Sequence, residues 1–288
     1  MTDLSSWGTL YVVATPIGNL EDITFRAIRI LKDVDLVAAE DTRHSRKLFN
    51  HFGIDTALTS CFEHNEAKKL DYFLGLLQQG QSIALISDAG TPAISDPGSL
   101  LVQHCRNAGV TVSPIPGASA CISALSVAGL PTRQFCFDGF LPPKSGVRCR
   151  ALQQYQQQPR TVVLYEAPHR LLASLKDIAT VLGDNKQIAI GRELTKLHEE
   201  LFRGSVAEAV DHFSKARVRG EIVLLLTPAV EELPTETVRE ALQRLSADSD
   251  LPMKAIVKQV AKLHGVSGSE VYKVALSLKE NVDIPFEK

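Results

Sequence analysis

An apolar run, Ser82-Ile83-Ala84-Leu85-Ile86, leads directly into Ser87-Asp88-Ala89-Gly90-Thr91-Pro92-Ala93-Ile94-Ser95-Asp96-Pro97-Gly98, and a helical pattern starts just beyond. The run shows no polar alternation, so it reads as a strand buried on both faces. The next twelve residues hold two Gly, two Pro and two Asp, a composition that continues neither strand nor helix. A strand closing on a glycine-rich turn before a helix belongs to an open α/β sheet, and such sheets bind ligands outside the carboxyl ends of their strands. Two readings compete. In one, the bare backbone cradles a flat or extended ligand, with aspartates that accept bonds from hydroxyls or face a cationic centre. In the other, it is a tight turn with aspartates as helix caps. The density of these residues at a strand end favours the cradle.

The same alternation runs through most of the chain. Thr9 to Ala14, Leu36 to Ala39 and Val110 to Ile115 read as strands, and Thr24 to Leu31, Asn65 to Leu77 and Ala118 to Val127 as helices. After a break at Leu130-Pro131-Thr132, strands are expected at Gln134 to Phe140, Thr161 to Tyr165, Gln187 to Ile190, His198 to Arg203 and Glu221 to Leu226. Helices are expected at Arg170 to Leu182 and Val206 to Phe213. Strands alternating with helices predict α/β architecture with a mainly parallel sheet. Beyond a polar linker, Glu231 to Pro234, three helical pieces follow near Glu236 to Leu245, Pro252 to His264 and Ser267 to Lys279, with Gly265 ending the second and Ser267 capping the third. The expected division is an α/β domain over 1–130, a second over 131–230, and a small helix-turn-helix-like domain over 235–288.

The chain's 288 residues can bury a core without covalent staples, and a net charge of −2 gives no global attraction to nucleic acid. Cys61, Cys105, Cys121, Cys136 and Cys149 are too scattered for a C-x-x-C pair, which predicts free thiols in a reducing cytoplasm and no metal site. Residues 1–8 lack a signal-peptide pattern, and no apolar run is long enough to span a bilayer. The G-x-G-x-x-G and P-loop fingerprints are absent. Gly117-Ala118-Ser119-Ala120-Cys121 lacks the last glycine of a nucleophile elbow.

Four further clusters fall at strand ends. Thr15-Pro16-Ile17-Gly18-Asn19-Leu20 is either a wall of the crevice or a plain strand-to-helix turn. Glu40-Asp41-Thr42-Arg43-His44 is either a substrate rim or a helix cap with solvated neighbours. Tyr165-Glu166-Ala167-Pro168-His169-Arg170 and Arg192-Glu193-Leu194-Thr195-Lys196 are either ion-pair networks or, as both carry Arg, grips for an anionic substrate. From Gly139 to Tyr165 there is no acidic residue, and Lys144, Arg148, Arg150 and Arg160 there form the best local basic patch. Lys254, Lys258 and Lys262 recur every four residues in the tail, a face that is either solvated or suited to nucleic acid.

Taken in order, Thr15 to Leu20, Glu40 to Arg43, Ser87 to Pro92, Pro116-Gly117-Ala118-Ser119, Tyr165 to Arg170 and Arg192 to Lys196 resemble the tetrapyrrole-methylase superfamily, in its branch of bacterial small-subunit ribosomal RNA ribose 2′-O-methylases. The resemblance spans about Leu10 to Leu278. It implies two α/β domains with S-adenosylmethionine in the cleft between them, a decoding-centre cytidine of 16S RNA in the small ribosomal subunit as substrate, and a homodimer. It also implies a cofactor site of Asp88, Ala89, Gly90, Thr91, Pro92 and Ile94, with Pro16, Ser119, Ala120 and Tyr165 close by. Ser87-Asp88-Ala89 stands where porphyrin-modifying relatives carry Gly-Asp-Pro, which favours the RNA branch, and Cys149 stands where the branch often has a basic residue. Rival expectations are a porphyrin- or corrin-precursor methylase and a non-catalytic ribosome-assembly factor.

Transfer from a sulfonium to a ribose oxygen needs in-line placement and removal of the hydroxyl proton. Glu40, Asp41, His44, Glu166, His169 and Glu193 are the candidates for that proton, with Glu166 and Glu193 preferred because each sits beside an Arg at a strand end. Arg43, Arg170 and Lys196 are expected to hold phosphates, and His44, Lys144, Arg148, Arg150, His169 and Arg192 to line the path of the RNA.

Overall fold

A computed structural model describes residues 7–215, 217–229, 236–248 and 251–280; the linker at Glu231 to Pro234 and the side chains of Lys262 and Lys279 lie outside the described set. The chain divides into two compact units, Met1–Ala229 and Val230–Lys288. The first carries two five-stranded sheets. One is built from residues 9–115 and the other from 135–226, on either side of the break read at Pro131.

The first sheet contains β1 (Thr9–Val13), β2 (Leu36–Ala39), β3 (Leu58–Ser60), β4 (Ile83–Ile86) and β5 (Thr111–Ile115), in the order β3-β2-β4-β1-β5. Every pairing is parallel, with Leu10 opposite Ile83 and Leu36 opposite Ile83 on the other edge of β4. Helices cover both faces. Helices α1 (Phe25–Asp33) and α2 (Thr42–Phe52) pack on one, and α3 (Glu63–Gln78) and α4 (Ser99–Ala108) on the other. This double cover explains why all four residues of β4 are buried and why its sequence shows no alternation. Local chemistry sets the helix ends. The Thr24 hydroxyl accepts the Ala27 N–H at 3.0 Å, the Asp41 carboxylate accepts the Arg43 N–H at 2.8 Å, and α1 buries Ala27, Ile30 and Leu31 at helical spacing.

The second sheet is mixed, which the strand-helix alternation did not predict. Strands β6 (Phe135–Phe140), β7 (Thr161–Glu166), β8 (Gln187–Arg192), β9 (Glu200–Ser205) and β10 (Ile222–Leu226) lie in the order β6-β7-β10-β8-β9. Strand β6 runs parallel to β7, and the remaining three pairings are antiparallel. Helix α5 (Ala120–Val127) packs on one face against Val163, Ala189, Val223 and Leu225. Helices α6 (Ser145–Gln153), α7 (Leu171–Leu182) and α8 (Val206–Ser214) cover the other. In α7 the buried set Leu171, Ser174, Leu175 and Ile178 keeps helical spacing. Two elements were not legible in advance. Strand β3 has only three residues, and α6 begins where Pro142 to Gly146 reads as loop.

The second unit holds α9 (Val238–Asp248), α10 (Met253–His264) and α11 (Gly268–Glu280) around Leu242, Ile256, Val260, Val271 and Leu278. Ser267 and Glu270 form a reciprocal capping box, and Gly265, at φ +62°, closes α10. Lys254, Lys258 and Lys273 are exposed. Among the described residues no helix is long and apolar enough to cross a membrane, and no cluster of ligating side chains could hold a metal ion. All five cysteines are unpaired.

The expectation that Arg148 faces substrate is corrected. Its side chain is buried, Nε and Nη2 both reach Asp177 (2.7 and 2.6 Å), and Nη1 donates to the carbonyls of Pro142 and Pro143. The acid comes from α7, outside the window in which the basic patch was read. Arg148 therefore locks α6 to α7. Removing one partner of a buried pair strands the other charge, so Arg148→Ala is expected to cost about 3–5 kcal/mol of stability in urea unfolding. Arg148→Met combined with Asp177→Leu should recover most of that loss.

Candidate active site

The loops that leave β1 and β4 are joined by a two-bond bridge. Thr15 N–H donates to the Gly90 carbonyl at 2.9 Å, and Gly90 N–H donates to the Thr15 carbonyl at 3.0 Å. The β4 loop is also clasped to the end of β2, since Asp88 accepts the Asp41 N–H at 3.1 Å while Asp88 N–H donates to Glu40 at 3.2 Å. The bridge separates two cavities. Thr15, Pro16 and Leu20 of the first loop and Ser87 and Asp88 of the second line a smaller one, with His44, Ser45 and Lys47. Ile17 of the first loop and Ala89, Gly90 and Thr91 of the second line a larger one of about 330 Å³.

The larger cavity gathers Ala89, Gly90, Thr91, Ile94, Ser119, Ala120 and Tyr165 from the expected cofactor set. Pro16, Asp88 and Pro92 are not among its walls: Pro16 and Asp88 line the smaller cavity instead, and Pro92 is buried. Residues outside the expected set complete the cavity, notably Ile17, Asp96, Phe140, Leu194, Gly220 and Glu221. Among the described residues no lysine, arginine or histidine lines it. Tyr165 stacks edge-on against Phe137 and Phe140 at ring-centroid distances of 4.8 and 5.7 Å, and burial pushes its hydroxyl up to about 12.

This wall carries strained backbone. Ala93 and Ser95 have φ of +67° and +63°, a left-handed conformation that side chains with a Cβ disfavour. Thr91 Oγ1 donates to the Ala118 carbonyl and Ala93 N–H donates to the Pro97 carbonyl, so the loop is fixed at both ends. The result sets Asp96 into the cavity wall. Burial, reinforced by the negative charges of Glu40, Asp88 and Glu221, pushes its carboxyl up to about 7 against a bond from Ser87.

The opposite wall is the end of the second sheet, and here the preferred proton acceptors turn out to be committed elsewhere. Glu166 is buried. One of its oxygens accepts from Arg170 Nε and the Ala167 N–H, and the other from the Ser174 hydroxyl. Glu193, at φ +51°, accepts from Lys196 Nζ at 2.7 Å and from the Glu221 N–H at 3.0 Å. Burial works to raise its carboxyl, yet these bonds outweigh burial and hold it below the usual range. A Cβ at Gly220, itself at φ +87°, would stand 2.2 Å from the Glu193 side chain, so only glycine lets this turn close.

Glu40 and Asp41 are likewise structural: Glu40 accepts the Asp88 N–H, and Asp41 caps α2 while a bidentate bond from Arg43 holds its carboxyl well below the usual range. The expected phosphate grips are also engaged. Arg170 pairs with Glu166, Arg192 with Glu200, Lys196 with Glu193 and Glu221, and Arg43 with Asp41. Lys144 and Arg150 are exposed on α6 and its cap, and His44 lines the smaller cavity; none reaches the larger one. His169 is exposed beside it.

With this geometry in place, known proteins are informative. Residues 9–210 match the family described as Tetrapyrrole (Corrin/Porphyrin) Methylases. A protein of Escherichia coli O157:H7 named Ribosomal RNA small subunit methyltransferase I is 48% identical over 277 residues, covering 94% of this chain and 96% of its own. One of the same name from Thermotoga maritima is 47% identical and covers 76% of this chain but 98% of its own. Among solved structures, the methyltransferase CobJ superposes with TM-score 0.59 at 16% identity over 77% of this chain and 95% of its own. Uroporphyrin-III C-methyl transferase from Thermus thermophilus, complexed with S-adenosyl homocysteine, superposes with TM-score 0.55 at 18% identity over 77% of this chain and 99% of its own. The structural likenesses speak to fold, and the sequence match decides membership: this chain belongs to the tetrapyrrole methylase family.

Proposed function

We propose that this chain is an S-adenosylmethionine-dependent methyltransferase that modifies the ribose 2′-hydroxyl of a decoding-centre cytidine in 16S ribosomal RNA, acting in the cytoplasm on the small ribosomal subunit as a homodimer. The observation that carries the reading is the larger cavity. Its volume of about 330 Å³ lies within the range of small-molecule sites, and its walls are mostly apolar side chains and glycine backbone. Its ionisable side chains are acidic or phenolic, with no basic group among the described residues to repel a cation. Such a site fits a sulfonium donor. The acceptor is inferred from relatives that are 48% identical over nearly their whole length and carry a ribosomal RNA methyltransferase name.

Bound there, S-adenosylmethionine supplies an electrophilic methyl group. The protein's part is to orient the ribose hydroxyl and to take its proton. Asp96 replaces Glu166 and Glu193 in our assignment of that role. It faces the cavity, whereas both oxygens of Glu166 are spoken for and Glu193 is bound to a cation. A base poised near neutrality combines an ionised population with useful proton affinity. The direct test supplies labelled S-adenosylmethionine with unmethylated small subunits and, separately, with a tetrapyrrole precursor. We expect the label in a 2′-O-methylcytidine of the subunit RNA by nucleoside mass spectrometry. Label in the tetrapyrrole, or in neither, would remove the reading.

Asp96 gives a prediction with a sign. Ionised Asp96 is the working form, so kcat/KM should rise with pH through about 7 and then level. Asp96→Asn should retain S-adenosylhomocysteine in calorimetry and lose turnover by about a hundredfold or more. Its effect on stability runs the other way. A carboxyl whose folded pKa is raised binds its proton more tightly in the native state, so native stability falls as pH climbs from about 4 towards about 7. The Asn variant lacks that fall; it should melt higher than the parent at about pH 8 and alike near pH 4.

The helical unit generates a separate prediction. The Thermotoga maritima relative is matched over 98% of its length by 76% of this chain, so a substantially shorter chain carries the same name. A version ending at Ala229 should keep its affinity for S-adenosylhomocysteine. It should bind small subunits more weakly, through loss of the exposed Lys254, Lys258 and Lys273. Undiminished subunit binding in a filter assay would take the helical unit out of the proposal.

A further inference from the structure

At the cavity end of the second sheet, three segments meet: the turn after β7, the turn after β8 and the approach to β10. The antiparallel register brings them together by setting Ile222 opposite both Glu166 and Arg192. Together they carry a dense mixture of acids and bases, most of which cancel. Arg170 pairs with Glu166, Lys196 with Glu193 and Glu221, and Arg192 with Glu200, which His212 also approaches. Among the described residues of these three segments, four basic side chains are left without a carboxylate at ion-pair distance: His169, His198, Arg217 and Arg219. His169, Arg217 and Arg219 line one cavity of about 490 Å³, together with Pro168, Leu172, Val218 and Gly220 and, among the described residues, with no acid. Pro168 and Gly220 are also walls of the Asp96 cavity, the larger of the two that flank the Thr15–Gly90 bridge, so the two spaces share a rim. Arg192 Nη1 donates to the Arg219 carbonyl at 3.3 Å, which ties the approach to β10 down beside the sheet.

We infer that this second cavity is a phosphodiester subsite, in which Arg217 and Arg219 hold the backbone of the RNA strand on the side of the nucleotide presented to the larger cavity. The inference rests on the RNA-methylating reading above and assigns a role to two arginines outside the strand-end clusters. Its logic is charge sorting. A reaction between a cationic donor and a polyanionic acceptor needs a site without basic groups beside one without acidic groups. The shared rim of Pro168 and Gly220 is where the two meet. Arginine suits the second role because its planar fork of donors matches phosphate oxygens.

The test compares the full-length parent with Arg217→Ala/Arg219→Ala, using unmethylated small subunits as ligand, without donor and over a range of salt. Phosphate contacts add to the salt dependence of binding by about 0.7 per contact for single strands. The double variant should bind about tenfold or more weakly, with a slope shallower by about one to two. Its S-adenosylhomocysteine affinity should be unchanged. Arg217→Glu, at an exposed position, provides a second reading should the double variant lose S-adenosylhomocysteine through misfolding. Parental affinity and slope in either folded variant would overturn the subsite while leaving the methylase reading intact. A parent that neither binds nor labels the subunits would bring down both.

Discussion

The pair of hydrogen bonds between Thr15 and Gly90 is the constraint on which the site is built. Strands β4 and β1 are neighbours, but parallel pairing stops at Val12 and Leu85. Beyond it, each loop is free to diverge toward its own helix. The bridge prevents this by holding the two loops antiparallel to one another for one further residue pair. It becomes the partition between the smaller cavity and the larger one. Without it Ile17 would have no fixed relation to Ala89, and the packing of Ile17 with Leu194 and Val223 would not bring the second sheet against the same loops. Gly18 belongs to the same junction: a Cβ there would lie 2.3 Å from the Lys196 side chain.

Electrostatic sorting follows from that geometry. The ion pairs at the end of the second sheet contribute little recognition of their own; they neutralise charge that would otherwise blur the difference between neighbouring cavities. Glu166 is the plainest case. A buried carboxylate needs its oxygens satisfied, and Arg170, Ser174 and the Ala167 N–H do so. Once these pairs have formed, the larger cavity keeps Asp96 and Glu221 on its walls and the adjacent one keeps Arg217 and Arg219. Lys196 bridges Glu193 and Glu221, so part of the negative charge at the rim is already balanced before any ligand arrives.

What the sequence made legible, and what it hid, follows from the direction of strands. The first sheet is parallel, so all its carboxyl ends lie on one side, and the rule that ligands gather there points to Ala89, Gly90, Thr91 and Ile94. The second sheet is mixed. Strand β10 presents its amino end to the cavity, and a search of carboxyl ends passes over Gly220, Glu221, Arg217 and Arg219. The signal was present as basic residues at alternate positions, Lys215, Arg217 and Arg219, before an apolar strand, but it acquires meaning only once β10 is known to run against β7. Long-range pairing misled in the same way. Arg148 looked free because its partner Asp177 is 29 residues away, and Glu166 looked like a base because Ser174 lies a helical turn and more beyond it.

Asp96 was hidden for a different reason. It stands in the most conspicuous stretch of the chain, yet nothing in the sequence separates it from Asp88, which the structure uses to hold the backbone of Asp41. The difference is made by conformation. Two left-handed residues, Ala93 and Ser95, each unfavourable by about 1–3 kcal/mol, turn the loop so that its second aspartate faces inward. Pro92 and Pro97 help to offset that strain by narrowing the unfolded ensemble of the same segment. A carboxyl that could swing into water would relax to an ordinary pKa. One held in a fixed, partly buried position beside Glu40, Asp88 and Glu221 cannot, and its proton affinity stays near neutrality. Strain in the backbone is thereby converted into basicity at a chosen atom, and the rigidity of the loop is what makes the conversion possible.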